Sequence, residues 1–353
     1  MPRVPTDGLP AISSRVTTRA SPAGWGRRGA QAASVAVSGA FLFALYRNLD
    51  FSLIAGAFRK SDPALLVVSV ALIVPITMLR AIRFWWVAPQ GALPSLGEAT
   101  RLTLAASALN VFVPLKAGDL IKSYFVAHRT GTSAGTAIAI IVYERVSDLF
   151  GLLTWCLLGW VIARPALPRA ASVVVVPLLL LDALFALLLM STRAATVWKA
   201  VTARVLPRTG VLRKVRTFAD GWPDLLELLR GRRLWILLFS LVLWLAHLLQ
   251  IWLFTVTLAA PVPFAACLTL AAIALMAGQV PLTLAGLGTR DVALVVLMAR
   301  YMTAETAAAL AVLVTTRNLL PPLLGLPVMR PYLASVLDEA RRWRRESGAE
   351  RRA

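Results

Sequence analysis

Between Asn110 and Asp148 the chain carries Lys116, Asp119, Lys122, Glu144, Arg145 and Asp148, with Asn110, Pro114 and Gly118 among them, in otherwise apolar surroundings. Carboxylates and cations gathered in hydrocarbon can bind a charged head group, carry a coupling proton, or do no more than lock helices together by ion pairs. Glu144, Arg145 and Asp148 follow helical spacing, at i, i+1 and i+4, so they fall within one arc of roughly 100°. Counted from Ser133, Glu144 lies roughly 16 Å along such a helix, about halfway into a ~30 Å hydrocarbon core. Each charge left there without a partner costs about 2.5–3.5 kcal/mol. The face is therefore expected to look into a helix bundle.

A second stretch repeats the pattern. L-T-L-A-A-S-A-L (Leu102 to Leu109) matches L-T-L-A-A-I-A-L (Leu268 to Leu275) at all but one position. Each copy is followed by Pro-Leu (Pro114 and Leu115; Pro281 and Leu282), a glycine-bearing turn (Gly118; Gly286 and Gly288) and an aspartate (Asp119; Asp291, after Arg290). An apolar helix with a polar pair comes next, Glu144 and Arg145 in the first copy and Arg317 and Asn318 in the second. Inverted repeats with interrupted helices at matching positions build substrate sites near the membrane midplane. The spacing leads us to expect Arg145 and Arg317 to face each other across one cavity, where guanidinium groups, with Lys116 or Lys122, would hold a phosphate through paired hydrogen bonds. Glu144, Asp148 and Asp119 would balance those charges, receive a cationic head group or carry a proton. Asn110 reads equally well as a helix–helix hydrogen bond, and the glycines as ordinary turns.

The elements that must position these residues are membrane helices. With 58% hydrophobic and 15% charged residues the chain is too apolar for a soluble globule. The formal charge of +20 falls mostly between the apolar runs, which points to anionic lipid head groups as partners and away from nucleic acid. Full spans are expected at Ala30 to Tyr46, Pro63 to Leu79, Ser133 to Ala163, Ser172 to Met190, Leu234 to Leu258 and Thr303 to Val328. Interrupted or re-entrant segments are expected at Glu98 to Ala127 and Phe264 to Ala299. Residues 1–29 read as a disordered basic tail, 30–330 as the membrane domain, and 331–353 as a second basic tail. Arginines and lysines concentrate in 191–233 and in both tails, so these and both termini are expected on the cytoplasmic side. Within 191–233, Val211, Leu212, Val215, Phe218 and Trp222 recur at helical spacing, which suggests a helix on the cytoplasmic surface or a solvated loop helix. Trp85 and Trp86 after Arg80 and Arg83, and Trp235 after Arg232 and Arg233, read as interfacial anchors. Two cysteines (Cys156, Cys267) and two histidines (His128, His247) show no metal-ligand spacing.

The order N…P…G-D (Asn110, Pro114, Gly118, Asp119), then E-R-x-x-D (Glu144, Arg145, Asp148), then G-L-G-T-R-D (Gly286 to Asp291) resembles the flippase-like transmembrane region of the lysylphosphatidylglycerol synthases over about residues 30–330. The resemblance implies a prokaryotic inner-membrane protein that moves a polar-headed lipid between leaflets. It does not extend to the aminoacyl transferase domain, so lysyl transfer is not carried over. The sequence reading is thus an all-α polytopic protein that translocates a phospholipid or polyprenyl-phosphate lipid, with no cofactor. Glycine-rich phosphate loops and G-x-S-x-G are missing from the sequence, so movement would be downhill or ion-coupled. The alternatives are a non-transporting partner of a lipid-modifying or glycosyl-transferring enzyme, and a membrane-embedded transferase with Asp119 or Glu144 as base.

Overall fold

The computed structural model describes residues 36–40, 42–43, 47, 49–112, 118–163, 170–206, 210–279 and 288–349. The expected tail at 1–29, most of the first span, Pro114, Lys116, Pro281 and Gly286 lie outside the described residues. Those residues fold as helices alone: α1 Phe51–Arg59, α2 Pro63–Ala71, α3 Ile73–Val87, α4 Leu96–Phe112, α5 Leu120–Thr130, α6 Ala134–Ala163, α7 Ala170–Met190, α8 Thr192–Val205, α9 Gly210–Leu228, α10 Arg233–Thr257, α11 Phe264–Ala277, α12 Thr289–Met298 and α13 Ala304–Ala349.

Local chemistry sets these boundaries. The Asp62 carboxylate accepts from the amides of Ala64 and Leu65 and Pro63 opens α2, an N-terminal cap with a preset φ. Pro75 cannot donate to the carbonyl four residues earlier, and the helix breaks nearby at Leu72 before continuing as α3. The Ser133 hydroxyl caps α6 by accepting from the Thr136 amide. Gly131, with φ 65°, closes α5 in the left-handed conformation that a residue with a Cβ rarely adopts.

Among the described residues four helical stretches are long and apolar enough to cross a membrane, Pro63–Val87, Ala134–Ala163, Arg233–Thr257 and Ala304–Ser335. The pair Val176–Met190 and Thr192–Val205 passes the same test together but bends by 95°; the Ser191 side chain caps the second helix at the bend. The second span runs on past Leu79 to Val87, because the first strong helix breaker after it is Pro89. The last helix likewise continues through the expected tail to Ala349, with Pro321, Pro322, Pro327 and Pro331 inside it. Prolines are tolerated in membrane helices where neighbours re-satisfy the freed backbone groups.

The two most extensive helix–helix contacts in the bundle are crossed between the two sequence copies: α4 packs on α13, and α11 packs on α6. Both are close backbone approaches. A Cβ on Gly325 of α13 would lie 2.1 Å from the Leu104 carbonyl oxygen of α4, and one on Gly159 of α6 would lie 2.6 Å from that of Ala265 in α11. α9 differs from its expected place. Ala219, Trp222, Leu225 and Leu226 are buried, the Trp222 indole donates to the Leu188 carbonyl, and α9 packs against α6. Leu212 and Val215, at its start, remain exposed. The stripe read as a surface helix is therefore half core, because the segment turns back onto the bundle end.

Candidate polar cavity between the two sequence copies

α6 carries Arg145 and Asp148 on one side and Glu144 at the far edge of the same arc, and the bundle separates them. Asp148 accepts from Arg83 of α3 at 2.7 Å and from the Trp244 indole of α10 at 3.1 Å, with Arg145 at 3.6 Å. Arg145 also pairs with Asp119, whose other carboxylate oxygen accepts from the Asn110 amide at 3.2 Å. Gly118 makes that arrangement possible. A Cβ there would lie 2.6 Å from the Asn110 backbone nitrogen, so only glycine lets the start of α5 fold against the end of α4. Glu144 turns instead to Lys122 of α5, 3.2 Å away, and Lys122 sits over the Phe84 ring at 4.5 Å.

In the second copy Arg290 donates to the Asp291 carboxylate at 2.9 and 3.1 Å and to the Thr315 hydroxyl of α13 at 2.5 Å. The other Asp291 oxygen accepts from the Gly288 amide at 3.2 Å, closing the first turn of α12. Arg317, 2% exposed, donates to the His247 carbonyl at 3.0 Å and to the Gln250 side chain at 3.1 Å. Gln250 is held in turn by donating to the Ser69 carbonyl. Among the described residues Arg317 has no carboxylate partner, and its Nε makes no hydrogen bond.

Between these two polar clusters lies a cavity of about 220 Å³. Arg145, Asp148 and Asn110 line it from the first copy, Arg290, Arg317 and Asn318 from the second, so Arg145 and Arg317 share one cavity. Arg80 of α3 lines it too and makes no ion pair or hydrogen bond among the described residues. The remaining site candidates, Gly118, Asp119, Lys122, Glu144, Gly288 and Asp291, stand one contact back. Asp119 and Asp291 orient lining arginines, while Glu144 and Lys122 neutralise each other. Lys116 and Gly286 lie outside the described residues.

The cavity also holds residues that the sequence reading did not single out. Arg80 and Arg83 are not interfacial anchors: Arg83 is 2% exposed and buried against Asp148, and Arg80 faces the cavity. Thr77 and Arg80 stand at i, i+3 on one face of α3, and with Arg83 a further three residues on they were the available signal. A span that ends at Leu79 leaves both arginines outside it. His247 and Trp244 line the cavity from α10 with no flanking motif to mark them. Pro321 and Pro322 line it as well, and their missing N–H groups release the carbonyls of Arg317 and Asn318 from the helix ladder.

The charge balance is unequal. Among the described residues Arg80, Arg83, Lys122, Arg145, Arg290 and Arg317 stand against Asp119, Glu144, Asp148 and Asp291, a surplus of two cations. A buried guanidinium without a counter-ion is costly unless an anion or water meets it. An anion with several acceptor oxygens matches the forked donors of arginine. No curated protein matches the chain. The family model described as the lysylphosphatidylglycerol synthase TM region matches residues 31–325, so the chain belongs to that family.

Proposed function

We propose that the chain binds the phosphate-bearing head group of a membrane lipid in the cavity between Arg145 and Arg317 and carries it from one leaflet to the other. The observation that carries this reading is the pair of guanidiniums without an ion pair among the described residues, Arg80 and Arg317, on one cavity with Arg145 and Arg290. At about 220 Å³ the cavity is smaller than the roughly 300–1,000 Å³ of pockets that enclose a drug-sized ligand. It suits a head group whose acyl chains stay in the bilayer. Family membership supports a role in lipid metabolism or translocation.

The topology of this reading is six spans with two interrupted segments in inverted halves, both termini in the cytoplasm of a prokaryotic inner membrane. Adding the bent pair and the apolar run Ala30 to Tyr46 to the four long spans supplies the six. The crossed packing of α4 on α13 and α11 on α6 supports the two-fold relation, since each interrupted segment meets the arginine-bearing helix of the other copy. The protein acts as a transporter, not an enzyme, and binds no cofactor.

Reconstituted liposomes with head-group-labelled lipids test this. The protein should speed appearance of label on the far leaflet, and Arg80→Gln should slow it. No acceleration over protein-free liposomes, across several anionic lipids, overturns the reading. A non-transporting partner role is the second reading, favoured by exposed Leu212 and Val215 beside the basic run Arg213, Lys214 and Arg216. Neutralising those three residues would then abolish capture of a lipid-modifying enzyme.

A further inference from the structure

A second cavity, of about 770 Å³, opens between the end of α3 and the start of α10. Its walls are aromatic, with Trp85 and Trp86 from α3 and Trp235 and Phe239 from α10; the Trp86 and Phe239 ring centroids lie 4.8 Å apart. Trp85 and Trp235 are 43% and 67% exposed, and Leu238 and Val242 are exposed further along α10. Large apolar side chains gathered around an open groove mark a binding surface rather than scattered exposure.

The groove is graded from end to end. α3 finishes where α10 begins, so Gln90, the Gly91 turn and Arg232 sit at one end, and Leu238 and Val242 at the other. Among the described residues Arg232 has no ion pair. Its hydrogen bond among the described residues goes to the Leu228 carbonyl at 3.4 Å, and the nearby Glu227 carboxylate pairs with Arg230. Indole rings at the polar end fit the membrane–water boundary, where tryptophan is enriched. A cation at the boundary above an aromatic and aliphatic trough matches one molecule chemistry, an anion joined to a hydrocarbon chain.

We propose that this groove is a second lipid site, which holds one anionic phospholipid of the adjoining leaflet with its phosphate at Arg232 and an acyl chain along Trp86, Trp235 and Phe239. It is distinct from the central cavity. The Arg83 contacts to Ser240 of α10 and to Asp148 of α6 tie the bundle together between the two. The site stands whether or not the protein moves lipid.

The test uses the full chain in nanodiscs of phosphatidylcholine with a small share of phosphatidylglycerol carrying a diazirine on its acyl chain. After illumination, adducts are mapped by peptide mass spectrometry. They should concentrate on 85–93 and 232–242 over the exposed stretch Leu179 to Leu187 of α7. Arg232→Gln should lower the groove yield about five-fold with this probe and lower that of a phosphatidylcholine probe, whose choline cation offsets its phosphate, by less. Arg317→Gln, in the central cavity, should leave groove labelling intact, so failure of the transport reading would not disturb this result. Adducts no denser in the groove than on α7, an Arg232→Gln yield equal to the parent, or loss of groove labelling in Arg317→Gln would each overturn the proposal.

Discussion

Replacing Arg317 by methionine separates a ligand-binding arginine from a structural one. Arg317 is almost wholly buried, has no carboxylate partner among the described residues, and rests on two neutral acceptors, the His247 carbonyl and the Gln250 side chain. An unpaired buried charge costs several kcal/mol, while the His247 carbonyl keeps its place in the α10 hydrogen-bond ladder and freeing the one Gln250 oxygen costs about 1–3 kcal/mol. Arg317→Met should therefore melt at or above the temperature of the parent. A hydrogen bond to a charged group contributes about 1.5–3 kcal/mol, so affinity for an anionic lipid should fall roughly 10- to 150-fold. Asp148→Asn is the opposite case. It strips the carboxylate from Arg83, which is 2% exposed and paired at 2.7 Å, and breaking such a pair costs about 3–5 kcal/mol. Thermal melts of purified protein and lipid titration by native mass spectrometry read both quantities. If Arg317→Met melts as far below the parent as Asp148→Asn and binds anionic lipid normally, the cavity is structural and the head-group reasoning fails.

Other outcomes follow from particular contacts. Lys122→Met and Glu144→Leu should each destabilise by about 3–5 kcal/mol, while the two together should cost much less than their sum, because the pair is buried together; a double-mutant cycle of unfolding energies reads the difference. Gly221→Ala should lower the melting temperature sharply, since its Cβ would lie 2.1 and 2.3 Å from backbone atoms of Gly135 and Thr136 and overpacking costs about 1–3 kcal/mol even where side chains can yield. Gly56→Ala, with nothing within 4 Å of the new Cβ in the interior of α1, should instead stabilise by about 0.5–1 kcal/mol. Equal melting shifts for the two glycines would contradict the packing of α9 on α6.

Long apolar elements were legible from sequence where their ends carry caps or breakers. α6 and α10 fall within a residue of their expected bounds, because Ser133 caps one and the Arg232–Arg233 turn starts the other. Arg80 and Arg83 were not legible, because near a pair of tryptophans an arginine reads as an interfacial anchor until Pro89 is recognised as the first stop. Depth in the membrane, not residue type, decides that role, and depth depends on where the helix ends. The division within Glu144, Arg145 and Asp148 was also beyond the sequence. Spacing puts all three on one arc, but only the neighbours settle which edge meets Lys122 and which meets the cavity.

The crossed packing explains why the polar residues of two distant segments meet. α4 with 17 residues and α11 with 14 are each too short to span alone. Each must bury its flanks against a long helix, and small residues decide which. Gly325 admits α4 at Leu104, and Gly159 admits α11 at Ala265. Leu104 lies six residues before Asn110, and Gly325 eight residues after Arg317. Docking one glycine contact therefore brings the cavity-lining ends of both helices to the same place. On α6, Gly159 fixes α11 beyond the midpoint and leaves Arg145 and Asp148 free to face α3 and α10, where Arg83 and Trp244 meet them. The charged cluster is thus a consequence of backbone-to-backbone docking at two glycines. A residue larger than glycine at either contact would have to part α4 from α13 or α11 from α6 before any charge was touched.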